Sequence, residues 1–215
     1  IGIGTLEHMT VHMASVTREL LSNTGAYPES SPETIPEQST WTDPAVSGGG
    51  YGQAQLSHAL GLALWLTGAR ASEAMAMMAP ALGSQVELHD AIAMRYEGGA
   101  VGVVSGGSCH LGSGGNKHQL EVRAIGSDGQ LHVDVERELV WLYRPDGREV
   151  RLEVGAGLPH DAGRYDCSGP IGALIDAGAG RSGGNQSPGE LGARTVEALD
   201  LAYRSAGSGQ RERRT

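Results

Sequence analysis

Three short turn signals in the second half of the chain constrain its fold more than any other feature. Glu97-Gly98-Gly99 separates VELHDAIAMRY (86–96) from AVGVVSGGS (100–108). Ser127-Asp128-Gly129 separates HQLEVRAIG (118–126) from QLHVDVE (130–136). Pro145-Asp146-Gly147 separates LVWLYR (139–144) from REVRLEV (148–154). Runs that alternate with period two and meet at Gly or Asp-Gly pair as antiparallel hairpins, because tight hairpin turns need a backbone conformation that glycine reaches without steric cost. Three hairpins in succession commit the chain to a sheet.

Helical periodicity is confined to the two ends of that run. Residues 5–13 alternate loosely as a strand, and residues 16–21 carry a short helical pattern. Residues 52–67 are the clearest helix, with Leu56, Ala59, Leu60, Ala63, Leu64 and Thr67 on one side. Two more helices are expected at 167–178 and 188–206. The second has Pro188 near its start, Leu191, Thr195, Leu199, Ala202 and Ala206 along one face, and Gly207 as its stop. Strands in one run with helices at either end imply an α+β fold: an open, mainly antiparallel β-sheet with helices packed on one face. The opposite face is left to solvent or a partner. In the first hairpin neither Glu87, His89, Ala91, Ala93 and Arg95 nor Leu88, Asp90, Ile92 and Met94 form a cleanly apolar set, so the pattern does not choose the packed face.

The chain reads as a single domain over 1–209, with a long Pro-rich surface loop at 23–47 (Pro28, Pro32, Pro36, Pro44) and a basic tail at 210–215. That tail, with Arg211, Arg213 and Arg214, is expected to fray. The net charge of −9 argues against a nucleic-acid or anionic-membrane surface, which needs clustered Lys and Arg. No apolar run is long enough for a membrane span, and no secretory leader is expected. Cys109 and Cys167 have no CxxC spacing, so a reduced, cytoplasmic setting is the expectation and a metal site is not. The chain opens Ile-Gly-Ile-Gly-Thr without an initiator methionine and is expected to be a piece of something longer.

The stretch WTDPAVSGGGYGQAQLSHALG (41–61) raises the functional question. A dinucleotide fingerprint would place its glycines after a buried strand, whereas Gly48-Gly49-Gly50 follow the Pro-rich loop. GSGGNK (112–117) lacks the Gly-Lys-Ser/Thr of a phosphate loop. At about 100° per residue, Tyr51, Gln55, His58 and Leu62 fall on one side, opposite the Leu56–Leu60–Ala63 stripe. His58 is then either a solvated, structurally bonded residue or a group at the mouth of a cleft exchanging protons near neutral pH. His89 and Asp90 adjoin, but strand neighbours point to opposite faces.

The run Trp41 to Gly50 followed by His58, together with YEGGAVGVVSGGS (96–108) and SPGELGARTVEALDLAYRSAGSG (187–209), resembles the C-terminal domain of the Gfo/Idh/MocA oxidoreductases. In that family a Rossmann domain binds NAD or NADP. The C-terminal domain shapes the substrate pocket and commonly oligomerises through the exposed sheet face. The resemblance implies the substrate-binding and oligomerisation domain of an NAD(P)-dependent oxidoreductase acting on a small hydroxylated substrate, sugar or cyclitol-like. The chain is not competent alone, because the cofactor domain and its catalytic lysine lie outside it. His58 matches the histidine that contacts the substrate hydroxyl or relays its proton. Tyr51 and Gln55 are expected beside it at the substrate, and Gly49 and Gly50 where backbone approaches the cofactor. The family's carboxylates near that histidine are replaced by Ala54 and Gly61, and its glycine by Leu56. These departures leave open an alternative, a non-catalytic binding or scaffold protein derived from the family.

Overall fold

The computed structural model describes residues 2–26, 31, 33, 35, 37–110, 118–153, 168–181 and 185–214. Much of the Pro-rich loop, the 112–117 stretch, Val154 and Cys167 lie outside the described residues.

The described residues form one nine-stranded sheet in the order β8-β7-β6-β5-β1-β4-β3-β2-β9. The three expected hairpins are present. β3 (His89–Tyr96) pairs antiparallel with β4 (Val101–Ser108), β5 (Gln119–Gly126) with β6 (Gly129–Asp134), and β7 (Leu139–Tyr143) with β8 (Val150–Glu153). β1 (Leu6–Ser15) joins the halves at the centre, antiparallel to β5 and parallel to β4. This α+β fold, an open and mostly antiparallel sheet with its helices on one face, is the architecture expected from the sequence.

Two elements depart from expectation. β2 (Ala71–Ala79), reading ASEAMAMMA, is a strand that pattern alone does not announce. Ala, Glu and Met favour helix locally. Here tertiary packing overrides them, with Ala74 and Ala76 buried and Met75 and Met77 exposed on the other face. The tail does not fray. β9 (Glu212–Arg213) pairs with β2, and Arg211 and Arg213 both reach Glu73, at 3.3 and 3.1 Å. Arg214 bonds Glu97, so a carboxylate-lined edge holds the basic segment.

In the first hairpin Leu88, Ile92, Met94 and Tyr96 are buried, as is Asp90, while Ala91, Ala93 and Arg95 are exposed. The helices therefore cover the Asp90 face. The covering layer is α4 (Ser57–Thr67) and α6 (Gly189–Ser208), preceded by the short helices α1 (Arg18–Leu21), α2 (Ser39–Thr42) and α3 (Pro44–Ser47). α5 (Ser168–Gly178) exposes Ile171, Leu174 and Ile175. α4 buries Ala59, Leu60, Ala63 and Leu64 and stops at left-handed Gly68. α6 starts after Pro188, buries Leu191, Ala198, Leu199 and Ala202, and runs past Gly207 to a left-handed stop at Gly209. Its Ser205 hydroxyl accepts the Ala76 amide of β2 at 2.9 Å. Arg194 donates to the Gly68 and Ala69 carbonyls at the end of α4.

Candidate functional site

The start of α4 is where the glycine run, the histidine and the two ends of the fold converge. Asp43 accepts the Ala45 amide to begin α3, and left-handed Gly48 ends that helix. Gly49, at φ 155°, lies where a Cβ would come within 2.3 Å of the Tyr203 hydroxyl. The chain then enters a π-helical turn, Gly52–Leu56, that leads directly into α4.

Every early amide of this turn has a partner. The Glu87 carboxylate accepts the Gly50 amide at 2.8 Å and the Gly52 amide at 3.0 Å, while its backbone carbonyl accepts the Tyr51 amide at 2.9 Å. Tyr203 of α6 donates its hydroxyl to Glu87 at 2.5 Å and accepts the Gln53 amide at 3.1 Å. A carboxylate at a helix start answers both the orphan N–H groups and the positive end of the helix dipole. Burial, followed by the bond to Glu87, pushes the Tyr203 hydroxyl well above its ordinary range. Glu87 and Tyr203 were not singled out in the sequence. They lie 35 to 37 and 150 positions, respectively, from the residues whose amides they hold, beyond any local pattern.

The π turn also relocates Tyr51. In a regular helix Tyr51 and Leu56 would face different ways, but the wider i→i+5 turn brings both toward the sheet. Both are fully buried, and both lie over Gly106 of β4, where a Cβ would stand 2.6 Å from Tyr51 Cε1 and 3.0 Å from Leu56 Cδ1. The Tyr51 hydroxyl donates to the Met13 carbonyl at 3.0 Å and accepts from Ser15 at 3.2 Å. Tyr51, expected at the substrate, is thus a core residue.

His58 is exposed, one residue into α4, and makes no hydrogen bond to another described residue. It lines a groove of about 580 Å³ between α4 and α6. Gln53, Ser57, Gln186, Ser187 and Thr195 supply the groove's polar groups, and Leu62, Trp65 and Val196 its apolar wall. Gln55 is half-buried and does not line this groove; Gln53 does. The expected partner of His58 is therefore displaced by two positions, a consequence of the same π turn.

Gly49 and Gly50 were expected at a cofactor. The structure shows another use for them: Gly49 admits the Tyr203 hydroxyl, and the Gly50 amide is committed to a carboxylate. A dinucleotide phosphate does not fit there, because the donors are taken and the neighbouring charge is negative. His89 and Asp90 are separated as strand neighbours should be, with Asp90 4% exposed under the helices and His89 on the open face. Glu121, His132 and Asp134 gather on the open face with ligand atoms within 4.8 Å of one another, but Arg137 lies against Asp134 at 2.5 Å and already supplies a positive charge. No described helix is long and apolar enough to cross a membrane.

Comparison with known proteins follows the same lines. A search of curated protein sequences finds no match. Among solved structures, an oxidoreductase domain protein from Kribbella flavida superposes with a TM-score of 0.71 at 17% identity, over 98% of this chain and 60% of that one. GenD2 from gentamicin A biosynthesis, in complex with NAD, gives 0.68 at 21% identity over 99% and 56%. Levoglucosan dehydrogenase, in complex with NADH and levoglucosan, gives 0.70 at 15% identity over 98% and 59%. At such identities the likeness carries the fold, and the chain spans little more than half the length of these proteins. The family model "GFO/IDH/MocA C-terminal domain" matches residues 3–132, more than half of the sequence, and the chain belongs to the Gfo/Idh/MocA family through that C-terminal domain.

Proposed function

We propose that this domain is the substrate-binding part of an NAD(P)-dependent oxidoreductase acting on a small hydroxylated molecule, sugar or cyclitol-like. The observation that carries the reading is the groove between α4 and α6, where an exposed His58 stands among the side chains of Gln53, Ser57 and Gln186. Amide, hydroxyl and imidazole groups on one wall suit several hydroxyls at once, and the Trp65 ring beside them offers an apolar face for a ring's C–H groups. The solved relatives whose complexes hold NAD or NADH, one of them with levoglucosan, support the same class.

In this reading NAD or NADP is held mainly by a separate domain and accepts or delivers the hydride. The residues of this chain bind and orient the substrate. His58 holds the reacting oxygen by a hydrogen bond from its ring, and Gln53 positions a neighbouring hydroxyl. Glu87 and Tyr203 fix the turn that carries Gln53 and leads into the helix of His58. The open sheet face, with Met75, Met77, Val101 and Val103 exposed, would pack against a second copy. A reduced, cytoplasmic location fits this reading.

A scaffold reading is favoured by one observation: no carboxylate orients His58, since Ala54 and Gly61 stand at the positions the family commonly fills with aspartate. Titrating myo-inositol and methyl β-D-glucopyranoside into the chain, with Trp65 emission and the His58 ring resonances as readouts, separates the two. Saturable shifts at His58 support the substrate-binding reading. Shifts confined to the open sheet face, or none at all, support the scaffold.

A further inference from the structure

Asp90 is a buried ionisable side chain that the proposed site leaves unused. It is 4% exposed on the helix-covered face of β3, and neither carboxyl oxygen has a hydrogen-bond partner among the described residues. It sits beneath the first turn of the pocket helix: a Cβ on Gly52 would lie 3.4 Å from Asp90 Oδ2. We propose that Asp90 is a neutral carboxylic acid packed beneath this turn, and that its ionisation releases the turn and so gates the groove by pH.

The surroundings make the neutral form the stable one. A carboxylate without donors is costly in an interior, so such a group keeps its proton. Glu87 is the charged neighbour that acts on Asp90, and its own carboxylate already holds the Gly50 and Gly52 amides and the Tyr203 hydroxyl. Tyr51, just before the π turn, and Tyr203 from α6 are the other titratable groups close enough to sense a charge formed on Asp90. On the flanking strands β2 and β4 its cross-strand neighbours are Met78 and Gly106, which carry no charge. Burial first, and then Glu87, push the Asp90 carboxyl up to about 8.

Ionisation has a structural consequence because the available donors are already in use. When the Asp90 proton leaves to water, the new carboxylate needs N–H or O–H partners. The donors of the turn above it, the Gly52 amide and the Tyr203 hydroxyl, are both held by Glu87. Two carboxylates then compete for one set of donors. Any donor drawn from Glu87 to Asp90 moves the turn that carries Gln53 and leads to His58. That this gates ligand binding rests on the proposed role of the groove; the titration and the movement of the turn do not.

The sign follows from linkage. The folded chain keeps a proton that the unfolded chain releases near 3.8, so Asp90 lowers stability progressively as pH rises from about 4 to about 8, and the penalty levels off above that. The test is a ¹³C titration of the Asp90 carboxyl in the full chain, with amide exchange at Gly50–Gln53 and melting of Asp90→Asn as companions. We expect a carboxyl still protonated at pH 6.5. Exchange at Gly52 and Gln53, corrected for intrinsic rates, should accelerate about tenfold or more across the transition, as local opening does. The Asp90→Asn melting temperature should exceed wild type by a margin that grows between pH 4 and 8. An ionised carboxyl at pH 6.5 overturns the proposal even if the variant fails to fold. Unchanged exchange across the transition overturns the gating. Neither result bears on whether a polyol binds beside His58.

Discussion

Glu87 and Tyr203 meet at 2.5 Å beneath the start of α4, and through that contact the last helix of the fold reaches the residues that open the groove. Glu87 takes the amides of Gly50 and Gly52, and Tyr203 takes that of Gln53. The π-helical turn therefore has a fixed origin, supplied by a strand lead-in and a distant helix instead of a local cap.

Tyr203→Phe tests that origin. It leaves the Gln53 amide without its acceptor and Glu87 without one of its donors, at a cost of about 1–3 kcal/mol for groups shielded from water. Tyr143→Phe, on an exposed ring of β7, should change stability by less than about 0.5 kcal/mol. Urea denaturation of the two variants measures both, and equal effects would contradict the assignment.

Gly106→Ala tests the packing of Tyr51. The added methyl would stand 2.6 Å from the Tyr51 ring and 2.9 Å from the Met13 carbonyl, so overpacking should cost about 1–3 kcal/mol. Gly172→Ala, in α5 with nothing within 4 Å, should instead stabilise by about 0.5–1 kcal/mol. Opposite signs in thermal melts are the expected result.

Met77→Lys tests the open sheet face. Met77 is 75% exposed, so the change should leave the melting temperature of the isolated fold nearly unaltered. If that face packs against a second copy, the desolvated charge should shift the sedimentation profile toward monomer. An unchanged oligomeric state in the variant would remove this face from the interface.

The fold was legible where hydrophobic period and turn chemistry agree. Asp128-Gly129, Asp146-Gly147 and Gly98-Gly99 announce their hairpins, and the Leu56–Leu60–Leu64 rows announce α4. β2 was hidden because Ala, Glu and Met suit a helix, and only the overlying α6, resting on Ala74 and Ala76, makes it a strand. Arg211 and Arg213 read as loose ends until Glu73 is placed beside them. In the groove, the position of His58 away from the Leu56–Leu60–Ala63 stripe was legible, but its neighbours were not. A 3.6-residue projection cannot anticipate a π turn, and one such turn buries Tyr51 and puts Gln53 in the groove where Gln55 was expected.

The central claim is that His58 holds the reacting oxygen of a substrate. The most direct measurement is steady-state turnover of the oxidoreductase carrying this domain, comparing wild type with His58→Ala and His58→Gln. His58→Ala should lower kcat/KM by more than about tenfold, with part of the loss restored by the hydrogen-bonding glutamine. Unchanged kcat/KM in both variants would contradict it.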